Sequence, residues 1–156
     1  LPEDSALRVR KIADCTRLLC ASPAYLAAKG TPKYPEELTD GTHACLNLRY
    51  PGAPEFQWPL EVDGAVKRFA VTGPFETDDG DVLTNWALDG HGIVLKPYFE
   101  IAEHLASGTL VPVLTHVPPV PVQLGILYTH RRHQDPKTRL FIDHMAAHVA
   151  AQLSDT

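Results

Sequence analysis

The 156-residue sequence lacks the features that mark several large protein classes. No apolar run approaches the roughly 18–20 residues needed to cross a bilayer, so no membrane-spanning helix is expected. No basic segment running into an apolar one marks a secretion signal. Cysteine is scarce: Cys15, Cys20 and Cys45 are odd in number and fit no CxxC pattern, which favours buried or free thiols in a reducing cytosol. Positive charge is scarce too. Fourteen Lys and Arg face nineteen Asp and Glu, a net charge of −5, whereas a domain that neutralises DNA phosphates by itself is normally basic. The chain also opens on Leu1 rather than an initiator Met, and it reads as a trimmed piece. Repeats and low-complexity tracts are missing.

What is present looks globular. Hydrophobic residues make up 44% and charged residues 21%, which excludes disorder and coiled coil. Fourteen prolines, roughly twice the usual share, imply short punctuated elements and exclude a helical bundle. Alternation at Leu7 and Val9 predicts a half-buried strand, and Leu18–Ala21 a strand buried on both faces. Ser22-Pro23 then suits a helix cap and first turn, with Gly30 as the stop. A smaller turn follows at Pro35–Leu38, and a strand at Leu46, Leu48 and Tyr50, broken by Pro51-Gly52. Trp58–Val62 and Val66–Val71 read as a hairpin about Asp63-Gly64. Asp78-Asp79-Gly80 opens a helix with Val82, Leu83, Trp86 and Ala87 on one face. Gly92–Leu95 is a buried strand, and Pro97 opens a helix with Tyr98, Ile101, Ala102 and Leu105 inward. Strands at Leu110–Leu114 and Val122–Tyr128 precede a last helix, capped by Asp135-Pro136, whose expected core face is Leu140, Phe141, Met145, Val149 and Leu153. Strands alternating with helices indicate parallel βαβ units.

Most chemistry-bearing clusters have a plain structural explanation. His144 and His148 share a helical face but lack a third ligand, so no metal site is expected. His130-Arg131-Arg132-His133 reads as a solvated basic turn. Gly90-His91-Gly92 follows a helix and opens a strand, the reverse of a dinucleotide loop. Glu76–Asp81 is acid-rich but does not match a calcium loop. Ser22 sits in no nucleophile elbow, so a hydrolase using it with His91 or His130 as base has no motif behind it. Two segments remain, Ser22 and Thr77–Gly80. Each lies where a strand meets a helix N-terminus, where free amides and the dipole favour an anion. Ordinary capping explains either one alone.

In this order and spacing the segments resemble the effector-binding domain of LysR-type transcriptional regulators. The likeness is carried by Arg17–Leu26 with Gly30-x-Pro32 and Pro35–Leu38, by Asp78–Leu83 leading to Leu88–Ile93 and Pro97, by Leu105–Leu114, and by Tyr128-x-x-Arg131-Arg132 with Pro136–Asp143. It implies an α/β fold of the type 2 periplasmic-binding-protein kind: two lobes joined by crossing strands, the second complete here and the first partial. Residues 1–16 would end the first lobe, 17–118 form the second, and 119–156 cross back, the crossovers falling near Asp14–Arg17 and Pro119–Pro121. The N-terminal winged helix-turn-helix is absent from this chain, which accounts for its negative charge. The resemblance also implies a cytoplasmic, non-enzymatic sensor without cofactor, metal or membrane. It would act as a homodimer or homotetramer and reach DNA only through the missing domain. Its effector, a small molecule such as a small organic acid, would meet Ala21, Ser22, Pro23, Thr77, Asp78 and Gly80, with the Thr77–Asp78 loop facing Ser22. Asp78 stands where relatives often carry Asn, and a carboxylate there repels an anion unless it caps its helix or pairs with a cation. A periplasmic solute receptor of the same fold is the alternative, and the odd cysteine count weighs mildly against it.

Overall fold

Short apolar runs cut by proline and glycine become the elements of the computed structural model, which describes residues 7–49, 56–129 and 136–154. In chain order these are β1 (Leu7–Cys15), β2 (Arg17–Ala21), α1 (Pro23–Lys29), a 3-10 turn (Pro35–Leu38), β3 (Cys45–Leu48), β4 (Gln57–Val62), β5 (Ala65–Ala70), β6 (Glu76–Thr77), α2 (Gly80–Leu88), β7 (Ile93–Pro97), α3 (Tyr98–Ser107), β8 (Val111–Val113), β9 (Val122–Thr129) and α4 (Pro136–Ser154). They divide into two compact units, Thr16–Val120 and Leu1–Cys15 with Pro121–Thr156. The expected cap at Asp135, the basic turn at 130–133 and the break at Pro51-Gly52 lie outside the described residues.

In the Thr16–Val120 unit five strands form one sheet, ordered β6-β3-β7-β2-β8. β3 runs parallel to β6 and β7, while β2 runs antiparallel to both β7 and β8. The expected βαβ units are therefore present twice, as β6–α2–β7 across β3 and β7–α3–β8 across β2. The expectation of parallel strands needs one correction: β2 runs against the other four. Neighbouring residues on each central strand serve opposite faces, because side chains alternate at period two. Cys20, Leu46 and Val94 join Leu83, Ala87, Ile101 and Leu110 beneath α2 and α3. Leu19, Cys45 and Ile93 join Tyr25, Leu38, Trp58, Leu60 and Phe69 on the other face. A fully buried Leu or Ile contributes about 1.5–3 kcal/mol, so these two layers dominate the unit's stability.

The β4–β5 hairpin turns at Asp63 and Gly64 with φ of 51° and 79°, the pair of left-handed residues that a two-residue hairpin loop requires. Gly73 is demanded by space instead. A Cβ there would lie 1.8 Å from the Cys45 carbonyl oxygen.

In the other unit β1 and β9 pair antiparallel from Leu7–Thr129 to Cys15–Val122, with an irregularity between Lys11 and Ala13. α4 packs on β1, and an ion pair joins Arg10 to Asp143. The expected core face of α4 is rotated. Ile142 and Ala146 are buried, whereas Leu140 and Phe141 are 71% and 63% exposed. The inward row is thus Ile142, Ala146, Val149 and Leu153, at spacings of four, three and four. All three cysteines are buried, and none is in a disulfide. Among the described residues no helix is long and apolar enough to cross a membrane.

Candidate functional site

The two strand-to-helix junctions singled out in the sequence lie at opposite ends of the five-stranded sheet. Ser22 follows the last residue of β2. The first residues of β2 lie beside the far end of β7, with Arg17 opposite Pro97 and Leu18 opposite Lys96. Thr77 and Gly80 belong to that far end, since the Gly80 carbonyl accepts a hydrogen bond from Lys96 Nζ at 3.1 Å. Four residues of strand separate the two levels, about 13 Å. α2 runs between them: it starts over Lys96, and the glycine just beyond its end, Gly90, lies against Ser22 Oγ. The expectation that the Thr77–Asp78 loop faces Ser22 is therefore corrected.

At the Ser22 end the polar groups are consumed locally. Ser22 is buried, its Oγ accepts the Tyr25 amide at 3.1 Å, and its carbonyl accepts the Leu26 amide at 3.1 Å. Ala21 is wholly buried, and Pro23 is exposed at the first helical position. The hydroxyl is committed to capping, and no base is paired with it among the described residues. His91, its suggested partner, is exposed with its ring edge-on to Phe75 at 5.3 Å.

The other end is where the chain enters and leaves the unit. Arg17 donates to the Val120 carbonyl from Nε at 3.0 Å and Nη2 at 2.8 Å. Here Asp79, not Asp78, caps α2: its Oδ1 accepts the Asp81 amide at 2.9 Å and the Val82 amide at 3.3 Å. Thr77 Oγ1 accepts the Asp79 amide at 3.1 Å. The helix amides that would hold a foreign anion are thus taken by the protein's own carboxylate. What remains is the exposed Asp78 carboxylate, with no ion-pair partner among the described residues, and the Thr77 hydroxyl proton. Arg49 pairs with Glu76 beside them.

Lys96 is the residue that sequence reasoning passed over. It is 3% exposed, and its ammonium bridges the Gly80 carbonyl and Glu100, at 3.1 Å and 2.5 Å, tying the start of α2 to the first turn of α3. Its signal was available: one lysine inside the buried strand Ile93–Pro97, with a glutamate four residues on. Cys20 lies nearby. Burial pushes its thiol up to about 12, with Lys96 acting in the opposite direction. Among the described residues no cluster of three or more His, Cys, Asp or Glu could hold a metal ion, and His144 and His148 only stack, with ring centroids 6.5 Å apart.

The profile of the LysR substrate binding domain family matches residues 1–150. The HTH-type transcriptional regulator DmlR of Escherichia coli (strain K12) is 32% identical over 144 residues, covering 92% of this chain and 46% of DmlR. The regulator CrgA of Neisseria meningitidis serogroup B is 35% identical over 112 residues, 72% of this chain and 36% of CrgA. Among solved structures, the full-length virulence activator AphB of Vibrio cholerae, a member of the LTTR family, superposes with a TM-score of 0.77 at 34% identity, over 92% of this chain and 48% of AphB. The regulatory domain of CrgA gives 0.76 at 29% identity, over 95% and 71%. The chain spans less than half the length of these two curated relatives.

Proposed function

The chain belongs to the LysR substrate-binding domain family, and from that premise we propose that it is the effector-sensing part of a bacterial transcription regulator. Its fold is the type 2 periplasmic-binding-like fold of the LTTR regulatory domains. The observation that carries the proposal is the family match over residues 1–150, joined to relatives that are regulators rather than transport receptors or enzymes. That same observation disfavours the periplasmic receptor. In this reading Thr16–Val120 is the complete second lobe and the other unit a part of the first. DNA is met through a winged helix-turn-helix carried by the rest of the protein, which works as a dimer or tetramer in the cytoplasm.

The effector contacts Thr77, Asp78 and Gly80, at the end where the chain enters and leaves the unit. Asp78 accepts and Thr77 can donate, so the effector presents a hydroxyl or ammonium group to the carboxylate. A small organic acid fits provided that its own carboxylate points away from Asp78, and a bare polyanion does not. Binding one arrangement of the regulator better than another shifts the population, and with it the grip on DNA.

The test is a promoter-reporter titration of the intact regulator with a panel of small hydroxylated acids and amines. Thr77→Val should raise the effector concentration for half response about tenfold, the equivalent of one lost polar contact, with basal DNA binding unchanged. Ser22→Ala should leave the response where it was. An unchanged response in Thr77→Val removes this site, and a regulator deaf to every small molecule removes the function.

A further inference from the structure

A recess lies at the end of the Thr16–Val120 unit opposite Thr77, against α1 rather than α2. Its volume is about 270 Å³, and Tyr25, Lys29, Thr42, His43, Thr72 and Gly73 line it. Two of these are polar side chains withdrawn from solvent, Tyr25 at 4% and His43 at 3% exposure. Tyr25 Oη accepts the Ala44 amide at 3.0 Å and lies 2.9 Å from His43 Nδ1. In the tautomer in which the phenol donates to Nδ1, the imidazole proton sits on Nε2, for which no hydrogen bond is seen among the described residues. Burial raises the Tyr25 pKa, with the Ala44 hydrogen bond acting against it, and the phenol stays protonated in its donor role.

Around this floor the lining is one of donors. Tyr25 and Lys29 share a face of α1 four residues apart, and Lys29 has no carboxylate partner among the described residues. Thr72 adds a hydroxyl, whereas the Thr42 hydroxyl is bonded to the Asp40 carboxylate. No carboxylate lines the recess. Those closest to His43 are already engaged elsewhere: Glu37 accepts the Lys33 and Tyr34 amides, and Asp40 accepts the Thr42 hydroxyl and amide. Gly73 keeps one wall close, because any side chain there would strike the Cys45 carbonyl. A cation, an imidazole and a hydroxyl lining one small space, with no acid among them, match a carboxylate.

We propose that the recess over the Tyr25–His43 pair is an accessory binding site for a small carboxylate, separate from the Thr77–Gly80 end. It has no counterpart in the proposed effector contacts, which sit at the other end of the sheet.

The test is equilibrium dialysis of labelled succinate against the intact protein bearing Thr77→Val, which weakens the other candidate site, a measurement that reads no transcription. Succinate should be retained with a millimolar dissociation constant. Lys29→Glu, an exposed change whose folding is checked by thermal melting, should weaken retention about tenfold or more, and Lys29→Arg should restore it. The His43 imidazole ¹⁵N resonances should shift on succinate saturation in the Thr77→Val protein and stay still in the Lys29→Glu double variant. Retention unchanged by Lys29→Glu, no retention up to about 20 mM, or a silent His43 would each overturn the proposal.

Discussion

The two ends of the five-stranded sheet look alike as sequence and differ as sites. Each offers a hydroxyl residue, a proline or glycine and the start of a helix. At Ser22 the cap hydroxyl, the first amides and the neighbouring carbonyl all satisfy one another inside the protein. At Thr77 the capping is done two residues further on by Asp79, which leaves Asp78 and a hydroxyl proton uncommitted. A cap motif marks where a helix begins. What a junction can bind depends on which of its groups are left over after capping, and on whether it lies where the chain enters the unit.

The contrast can be broken by substitution, beginning with the scaffold that both ends share. Gly73→Ala drives a methyl into the β3 backbone, a clash that only main-chain movement relieves, and should cost about 3 kcal/mol in urea unfolding with loss of succinate retention. Lys96→Ala leaves Glu100 and the Gly80 carbonyl without their cation. Because Glu100 is 41% exposed, the loss should stay near 2 kcal/mol, and Lys96→Met should lose less by keeping the packed stem. The two caps sharpen the comparison at a smaller scale. Ser22→Ala and Asp79→Ala should each lower stability by about 1 kcal/mol in thermal melts, yet only Asp79→Ala should alter the effector response, because it releases the Thr77 segment. The smallest effect is acid-dependent. Amides of Tyr34 and Lys33 hold the Glu37 carboxyl below its ordinary value of 4.5, so its contribution is present above that value and fades as pH falls through the lower folded one. Glu37→Gln should flatten stability below about pH 4.5 and change nothing near neutrality.

Much of the architecture was legible from pattern alone. Buried strands such as Leu18–Ala21, the Asp63-Gly64 hairpin and the stop at Gly30 follow from alternation and from residues tolerant of positive φ. The direction of β2 was not legible, since alternation is the same whichever way a strand runs. The face of α4 was misread because Leu140 and Phe141 are its most apolar letters, whereas packing on β1 selects the row through Ile142 and Ala146. Lys96 escaped for a related reason: a charged letter in a buried run reads as an interruption until its two partners are seen. The separation of Ser22 from Thr77 is a matter of register, and single-sequence patterning carries no register between strands so far apart in the chain.

The bond from Arg17 to the Val120 carbonyl closes a segment of more than a hundred residues at its own base. In genetic terms such a segment is a cassette. Its flanks need only two neighbouring attachment points, so exchange between relatives can be made at two cuts without re-registering any strand inside. In mechanical terms the pair is a clasp. Tension applied through the flanking chain loads this side chain before it reaches the sheet, so the module can be tugged from its base while its interior stays folded.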